Sequence, residues 1–506
     1  MGSQLTAKND VNILSENRTA LRQATVHSDK GTVAIGSVQG DVQIQEGRNQ
    51  EQLSFGAKST HHGTLQTITS VTKHDHHYDT AQGSAIDGNN ILLQANNGNV
   101  SVQGSNVVAE NHLVATAKNI NIQAAKNRVF EEDFEKTSKS GLMGSGGLGF
   151  SVGSKKEKVE QDRTQESAVS SQVGSLKGHT TLQANNHYQQ TGSVVTAVNG
   201  DVDILAKSAN ITAAHSDYES NYKYTYEQKG LTVSLTSPVL SAINATESAM
   251  NSLHQIGESK NNRINALAGA NAFWNSFRAI EARQAAWDAL GKLSQGEIAK
   301  SGIGVSLAYG QQKNVQTQHT EGNTVEKSAV NAGGKVNIVA TGLGEQSKID
   351  ILGSDVSGQA GAHLKADGDI NIQAVDENHL ERSKNKSSGF NIGVGIQLGQ
   401  EMAAGLTVGG NVAKGYGNGE SQAWVASQVG DKNSQTTIES GKDTKVIGSQ
   451  VSGKRVEVSA ENLNIESLQD TAKYKGKQES ASGQVTVGHG VSVGGSYSKS
   501  KVNSNY

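Results

Sequence analysis

The 506-residue chain has no cysteine, which excludes disulfides, thiolate zinc sites and thiol nucleophiles. Freedom from cysteine also fits a chain exported unfolded through an oxidising periplasm, although it does not by itself fix the compartment. Aromatic residues make up only 4%, too few for base-stacking platforms, and a formal net charge of −3 offers nothing to a polyanion, so no nucleic-acid partner is expected. Hydrophobic residues at 34% and charged residues at 18% are both low for a globular enzyme. No apolar run is long enough for a membrane-spanning helix, and no signal peptide is visible. Met1-Gly2-Ser3 reads as an added start, and the chain is expected to be a piece of a longer one.

Glycine is plentiful, at 58 residues, against a single proline, Pro238. That much glycine could mean disorder, but the apolar residues are largely β-branched and patterned. One phrase recurs: Asp41-Val42-Gln43-Ile44-Gln45, Asn119-Ile120-Asn121-Ile122-Gln123, Asp201-Val202-Asp203-Ile204, Lys335-Val336-Asn337-Ile338, Asp369-Ile370-Asn371-Ile372 and Asn462-Leu463-Asn464-Ile465. A second phrase, Gly-Ser-x-Val, begins at Gly104, Gly192, Gly353 and Gly448. Ile44, Ile122, Ile211, Ile372 and Ile465 look equivalent, standing 78, 89, 161 and 93 residues apart. The long interval holds a different text, Pro238 to Lys300, where Phe273, Phe277, Ile280, Trp287 and Leu290 fall near helical spacing. A helical hairpin is expected there, its stripe packing on itself or the trunk, or else docking a partner.

Short strands with one inward apolar face, cornered by Gly, Asn and Asp, are what stacked coils need. The expected fold is therefore all-β: a right-handed parallel β-helix trunk with β-hairpin arms and one inserted helical hairpin, with repeats closing into a β-barrel in lipid as the alternative. The expected modules are 1–126, 127–214, 215–375 carrying the insertion 238–300, 376–467 and a truncated 468–506. Ile44, Ile122, Ile338, Ile372 and Ile465 are the expected core rungs.

The arms show strict alternation after a charged opening such as Glu131-Glu132-Asp133-Phe134-Glu135-Lys136. Phe390, Ile392, Val394, Ile396 and Leu398 alternate with Asn391, Gly393, Gly395 and Gln397. Leu406 and Val408, then Val485, Val487, Val491 and Val493, repeat the pattern, as do Leu148, Phe150 and Val152, Leu231, Val233 and Leu235, and Ile303, Val305, Leu307 and Tyr309. Gly389 to Gly399 is an 11-residue alternating segment, the length of a membrane-spanning strand, which takes roughly 9–11 residues. Phe390, Ile392, Val394, Ile396, Leu398, Leu406, Val408, Val485, Val487, Val491 and Val493 are therefore the membrane-active candidates.

Other motifs carry less. Gly144 to Gly149 matches a dinucleotide fingerprint, but strand text follows where a helix N-terminus is required. Gly149 to Gly153 and Gly490 to Gly494 match G-x-S-x-G at corresponding places in two arms, as Gly/Ser alternation along a strand would, and the elbow's strand-to-helix turn is missing. Asp203, Asp350 and Asp369 are scattered singly, whereas a glycosidase needs clustered carboxylates. His74-Asp75-His76-His77, with His61 and His62 nearby, has ligands suited to zinc or nickel. No other arm repeats the cluster and its setting reads as a solvated hairpin, so no metal site is assigned. Tyr222, Tyr224 and Tyr226 share a strand face, either as sheet packing or as an interfacial aromatic belt. No catalytic residue and no cofactor is assigned.

The Asn-Ile-Asn-Ile rungs, the Gly-Ser-x-Val phrase and the Gly-Leu-Thr-Val arm text at Gly230 together resemble the haemagglutinin-repeat region of filamentous-haemagglutinin-like exoproteins. The likeness is greatest to the second repeat region of contact-dependent growth inhibition effectors of two-partner secretion systems. The resemblance implies export by an outer-membrane two-partner secretion transporter and display on a surface filament, secreted at the producer's outer membrane. It also implies contact with a target cell's outer membrane or surface protein, and a part in moving a C-terminal toxin across that membrane. Neither the secretion domain nor the Val-Glu-Asn-Asn boundary to a toxin is in this sequence, so no toxic activity is expected of these residues. A passive stalk or adhesin is the other reading.

Overall fold

The structure, a computed structural model, describes residues 2–144, 149–236, 304–397, 403–488 and 491–505. Among these residues the only regular elements besides strands is one short 3-10 turn, Gly344–Gln346, and no helix is long and apolar enough to cross a membrane. The expected helical hairpin between Pro238 and Lys300 lies outside the described residues.

The strands fall into two sheets. In the first, every pairing is parallel and joins a strand to one about a coil later, as Ser3–Ala7 to Ala24–Ser28 and Val11–Ser15 to Thr32–Ser37. Three such ladders wind together, the arrangement of a parallel β-helix. Along one ladder the inward side chains are Leu21, Ile44, Val102, Ile122, Gln190, Ile211, Ile351, Ile372, Val446 and Ile465, one per coil, so the trunk has ten described coils. The neighbouring ladder runs Ile35, Leu93, Ala115, Leu182, Ile204, Ile338, Leu364 and Ile438. Stacking like on like at about 4.8 Å removes the faces of an apolar side chain that has a coil on either side from water, and among the described residues these rungs contribute to a continuous core from Val26 to Val446.

The corners explain the Gly-Ser phrase. Gly104, Gly192, Gly353 and Gly448 have φ of 54°, 56°, 56° and 58°, a left-handed turn that a side chain would strain. Serines turn inward at these corners, and from coil to coil a serine N–H donates to the next serine's Oγ: Ser84 to Ser105, Ser105 to Ser171, Ser171 to Ser193 and Ser193 to Ser328, and farther on Ser354 to Ser427 and Ser427 to Ser449. This serine ladder is buried from Ser84 through Ser427 and satisfies corner amides that have no strand partner. Asparagines stack on the outer surface, Asn119 Nδ2 donating to Asn99 Oδ1 at 2.7 Å and Asn371 Nδ2 to Asp350 Oδ1 at 2.7 Å. Asp203 accepts from Asn337 and Asp369 pairs with Lys348, so the three scattered aspartates hold the trunk's surface together.

The second sheet is antiparallel and has ten strands, from five arms. The arms are Gly47–His62 with Gln66–Gln82, Ala125–Gly144 with Gly149–Val169, Ala214–Thr236 with Gly304–Glu326, Val375–Gln397 with Ala403–Val425, and Thr471–Val487 with Val491–Asn505. Each leaves after every second coil, and each pairs with the next arm as well as within itself. The spacing accounts for this: two coils advance the trunk by about 9.6 Å, and the two strands of a hairpin occupy about 9.6 Å. Trunk and arm sheet therefore keep step. The sheet is open, with Gly47–His62 and Val491–Asn505 at its edges.

Candidate functional site: the apolar rows of the arm sheet

In an antiparallel sheet, residues directly opposite one another point to the same face. The alternation in each arm could have been set in any register, but the pairing aligns all of them. One row runs Leu142, Val152, Leu231, Tyr309, Ile392, Val408, Val485, Val493 across eight strands. The next, nearer the arm tips, runs Phe150, Val233, Leu307, Val394, Leu406, Val487, Val491. Phe390, Val412 and Tyr497 adjoin them on the same face. Among the described residues nothing covers the rows: Val394 is 44% exposed, Leu406 52% and Val493 76%. Eight strands make the band about 34 Å wide, and Phe390 to Val394 makes it about 13 Å deep. Ile396 continues the strand, its backbone paired with Val305 and Ala404. Leu398, Leu148 and Ile303 lie outside the described residues.

The opposite face of the same residues is small and polar. Gly141, Gly153, Gly230, Gly310, Asn391, Gly409, Gln484 and Gly494 stand in one row. A Cβ on Gly153 would lie 2.1 Å from the Lys229 carbonyl oxygen, so the close approach of these strands requires glycine there. Tyr222, Tyr224 and Tyr226 are on this second face, nearer the trunk, and half-buried.

On the apolar face, the step towards the trunk is basic. Lys136, Lys158, Lys386, Lys414 and Lys499 stand in one row with a single acid, Glu479. The following row holds Lys223, Lys384, Lys477 and Lys501 with Glu160. The two glutamates are tied up: Lys477 Nζ lies 2.7 Å from Glu479, and Lys223 lies 3.2 Å from Glu160, which Lys158 also meets. Lys477 holds the Glu479 carboxyl below the usual range, and Lys158 does the same to Glu160 against the opposing effect of burial. The face thus presents a lysine belt and beyond it an apolar band. Nothing in any single arm's sequence showed the belt, because its lysines come from different arms.

Of the expected core rungs, Ile44, Ile122, Ile338 and Ile372 lie at 0–1% exposure in the trunk. Ile465 stands in the ladder of Ile372 and Val446, but on the last described coil, and is 72% exposed. Sequence reasoning missed Tyr188, which is fully buried in the trunk and donates its hydroxyl to Gln190 Oε1 at 2.8 Å. The signal was present, since Gln190 replaces an isoleucine of the rung phrase, and a polar rung needs a polar neighbour.

The histidine run divides as alternation demands. His77 and Asp75 face one side, 3.2 Å apart, and His74 and His76 the other. His61 and His62 sit at the far end of the first arm, opposite Ile68 and Thr67. Asp133, from the second arm, stands directly opposite His74.

Residues 64–230 and 307–483 match the family described as Hemagglutinin repeat. The chain is 33% identical over 438 residues to the tRNA nuclease CdiA of Escherichia coli O6:K15:H31 (strain 536 / UPEC), covering 84% of this chain and 13% of that protein. It is 30% identical over 490 residues to the tRNA nuclease CdiA of Yersinia mollaretii, covering 93% of this chain and 16% of that one. With the deoxyribonuclease CdiA of Yersinia pseudotuberculosis serotype O:3 (strain YPIII) it shares 32% identity over 419 residues, 81% of this chain and 37% of the relative. The chain therefore spans a minor part of the curated relatives it matches. No solved structure matches it.

Proposed function

We propose, for a chain that belongs to the Hemagglutinin repeat family, a non-catalytic role: the repeat region of a secreted bacterial surface exoprotein that helps deliver a C-terminal toxin across a neighbouring cell's outer membrane. The nuclease activities in the relatives' names would then reside in other parts of those longer chains. Export by an outer-membrane two-partner secretion transporter, and a station on the producer's surface, follow from the same reading. The repeating unit in this proposal is one arm with the two coils after it, as in 127–214, 215–375 and 376–467. The trunk winds right-handed, as parallel crossovers do.

The observation that carries the reading is the registered apolar band with the lysine belt behind it. A bare apolar face on one side of an open sheet is costly in water. Against an outer membrane the band meets acyl chains while the lysines meet phosphate groups, worth about 1 kcal/mol per lysine at an anionic surface. In this reading the arms meet the membrane by their tip rows, with the trunk outside as scaffold. A passive stalk or adhesin has no use for such a face.

The test separates the two faces of one strand. A cation at Val394 would cost about 2–4 kcal/mol if it had to enter hydrocarbon. In water Val394 is already 44% exposed, so the fold should lose no more than about 0.5 kcal/mol. Val394→Arg should abolish delivery of an attached toxin while leaving surface display and attachment to target cells intact. Asn391→Arg, on the other face, should deliver almost normally. Equal effects of the two substitutions, or normal delivery by Val394→Arg, would leave the stalk reading in front.

A further inference from the structure

We propose that His74, His76 and Asp133 form a binding site for a late divalent transition-metal ion, Zn²⁺ being the natural occupant, that ties the first arm to the second. Residues two apart on a strand share a face, so His74 and His76 project together from Gln66–Gln82. Asp133 projects beside them from Ala125–Gly144, because it pairs directly with His74. His74 Nδ1 lies 2.5 Å and His76 Nε2 2.9 Å from the same oxygen, Asp133 Oδ1, and the three ligand atoms lie within 4.8 Å of one another. Ligands about 2.0–2.1 Å from a tetrahedral ion stand about 3.3 Å apart, so side-chain adjustments of under an ångström would admit one.

The donor set is two imidazoles and a carboxylate with a fourth position open to solvent. That combination suits zinc, nickel or copper and disfavours calcium or magnesium, which take oxygen ligands. The surroundings add a second shell. Tyr78 Oη lies 3.4 Å from His76 Nδ1 and donates to Glu131 at 3.2 Å, a chain that would orient the ring and fix Nε2 as the ligand atom. Phe55 and Leu53 stand opposite His74 and His76 on the edge strand and give the site an apolar flank.

Two ligands come from one arm and the third from the next, so an ion here would bridge the pairing of separate hairpins near the sheet's edge. The simpler alternative is that the two histidines only hydrogen-bond to Asp133. Calorimetric titration of the chelator-treated full chain with ZnSO₄ distinguishes them, with Co²⁺ as a second probe whose visible absorption reports tetrahedral nitrogen and oxygen ligation. One ion per chain is expected. His74→Ala, His76→Ala and Asp133→Asn should each weaken binding at least as much as the roughly 10–100-fold that loss of an outer-shell partner costs, and Tyr78→Phe should fall within that range. His77→Ala, on the opposite face, should bind like the parent. Circular dichroism identifies any variant that fails to fold, and Tyr78→Phe, which keeps all three ligands, then carries the comparison. Absence of Zn²⁺ binding by the parent, equal loss in His77→Ala, or undiminished binding by folded Asp133→Asn would overturn the proposal.

Discussion

Isoleucine at a rung does different work according to which coils flank it. Ile372 sits between Ile351 and Val446 at 0% exposure, whereas Ile465, on the last described coil, stacks on Val446 and is 72% exposed among the described residues. Aspartate at position 372 would bury a carboxyl without a partner, so Ile372→Asp should cost about 3 kcal/mol or more. Ile465→Asp should cost no more than about 0.5 kcal/mol. Urea unfolding of both variants checks the pair; equal losses would mean that the ladder is misassigned. The serines show the same dependence on neighbours. A serine in a short turn has no evident purpose in one coil, and acquires one only when the next coil's amide is aimed at its hydroxyl.

At the scale of the element, a serine hydroxyl closes the base of an arm beneath its strand pairing. Where the second arm departs after Gln123 and returns at Ser171, Ser171 Oγ donates to the Gln123 carbonyl at 2.7 Å. Ser328 makes the same bond to Thr212 and Ser427 to Gln373, each at 2.7 Å, so the ends of an excursion tens of residues long are pinned together. Ser171 also receives the Ser105 N–H at 3.2 Å. Ser171→Ala would leave a buried amide and a buried carbonyl short of partners, a loss of about 1–3 kcal/mol. Native-state hydrogen exchange should find the base of the second arm opening more readily by that amount, with the remote Ile204 and Ile338 rungs unchanged. Unchanged protection at Ala125 and Val169 would show that the hydroxyl is not what closes the arm.

At the scale of the whole molecule, the deciding quantity is the match between trunk rise and strand spacing. Deleting residues 192–212 removes one coil and leaves the second and third arms only about 4.8 Å apart at their bases, half of what two hairpin strands require. Deleting residues 124–212 removes the second arm with two coils and brings the first arm beside the third in step. The shorter deletion should therefore do more damage to the arm sheet than the longer one. Hydrogen exchange along Ala214–Thr236 reads the result: protection retained in the longer deletion and lost at the edge facing the missing register in the shorter. Similar protection in both would mean that arms and trunk are not coupled through pitch. The apolar band also exists only at this scale, since no arm supplies more than a few of its residues.

Much of this architecture was legible in the chain. Period-two alternation with β-branched residues specified strands, the recurrence of Asn-Ile-Asn-Ile marked the rungs, and Ile44, Ile122, Ile211, Ile372 and Ile465 stand in one ladder on every second coil. Such patterns are local, and each strand needs only its own side chains to declare which face is apolar. The relations between arms were not legible. Alternation says that Val152, Ile392 and Val485 share a face within their own strands, but not that they align with one another, nor that lysines from four arms gather behind them. Likewise the histidine run announced two ligands, and Asp133, more than fifty residues on in a separate charged run, became the third only through cross-arm pairing. Sequence periodicity determined what each strand turns inward. The register between hairpins, set by the rise of the coils beneath them, decided what those strands present together.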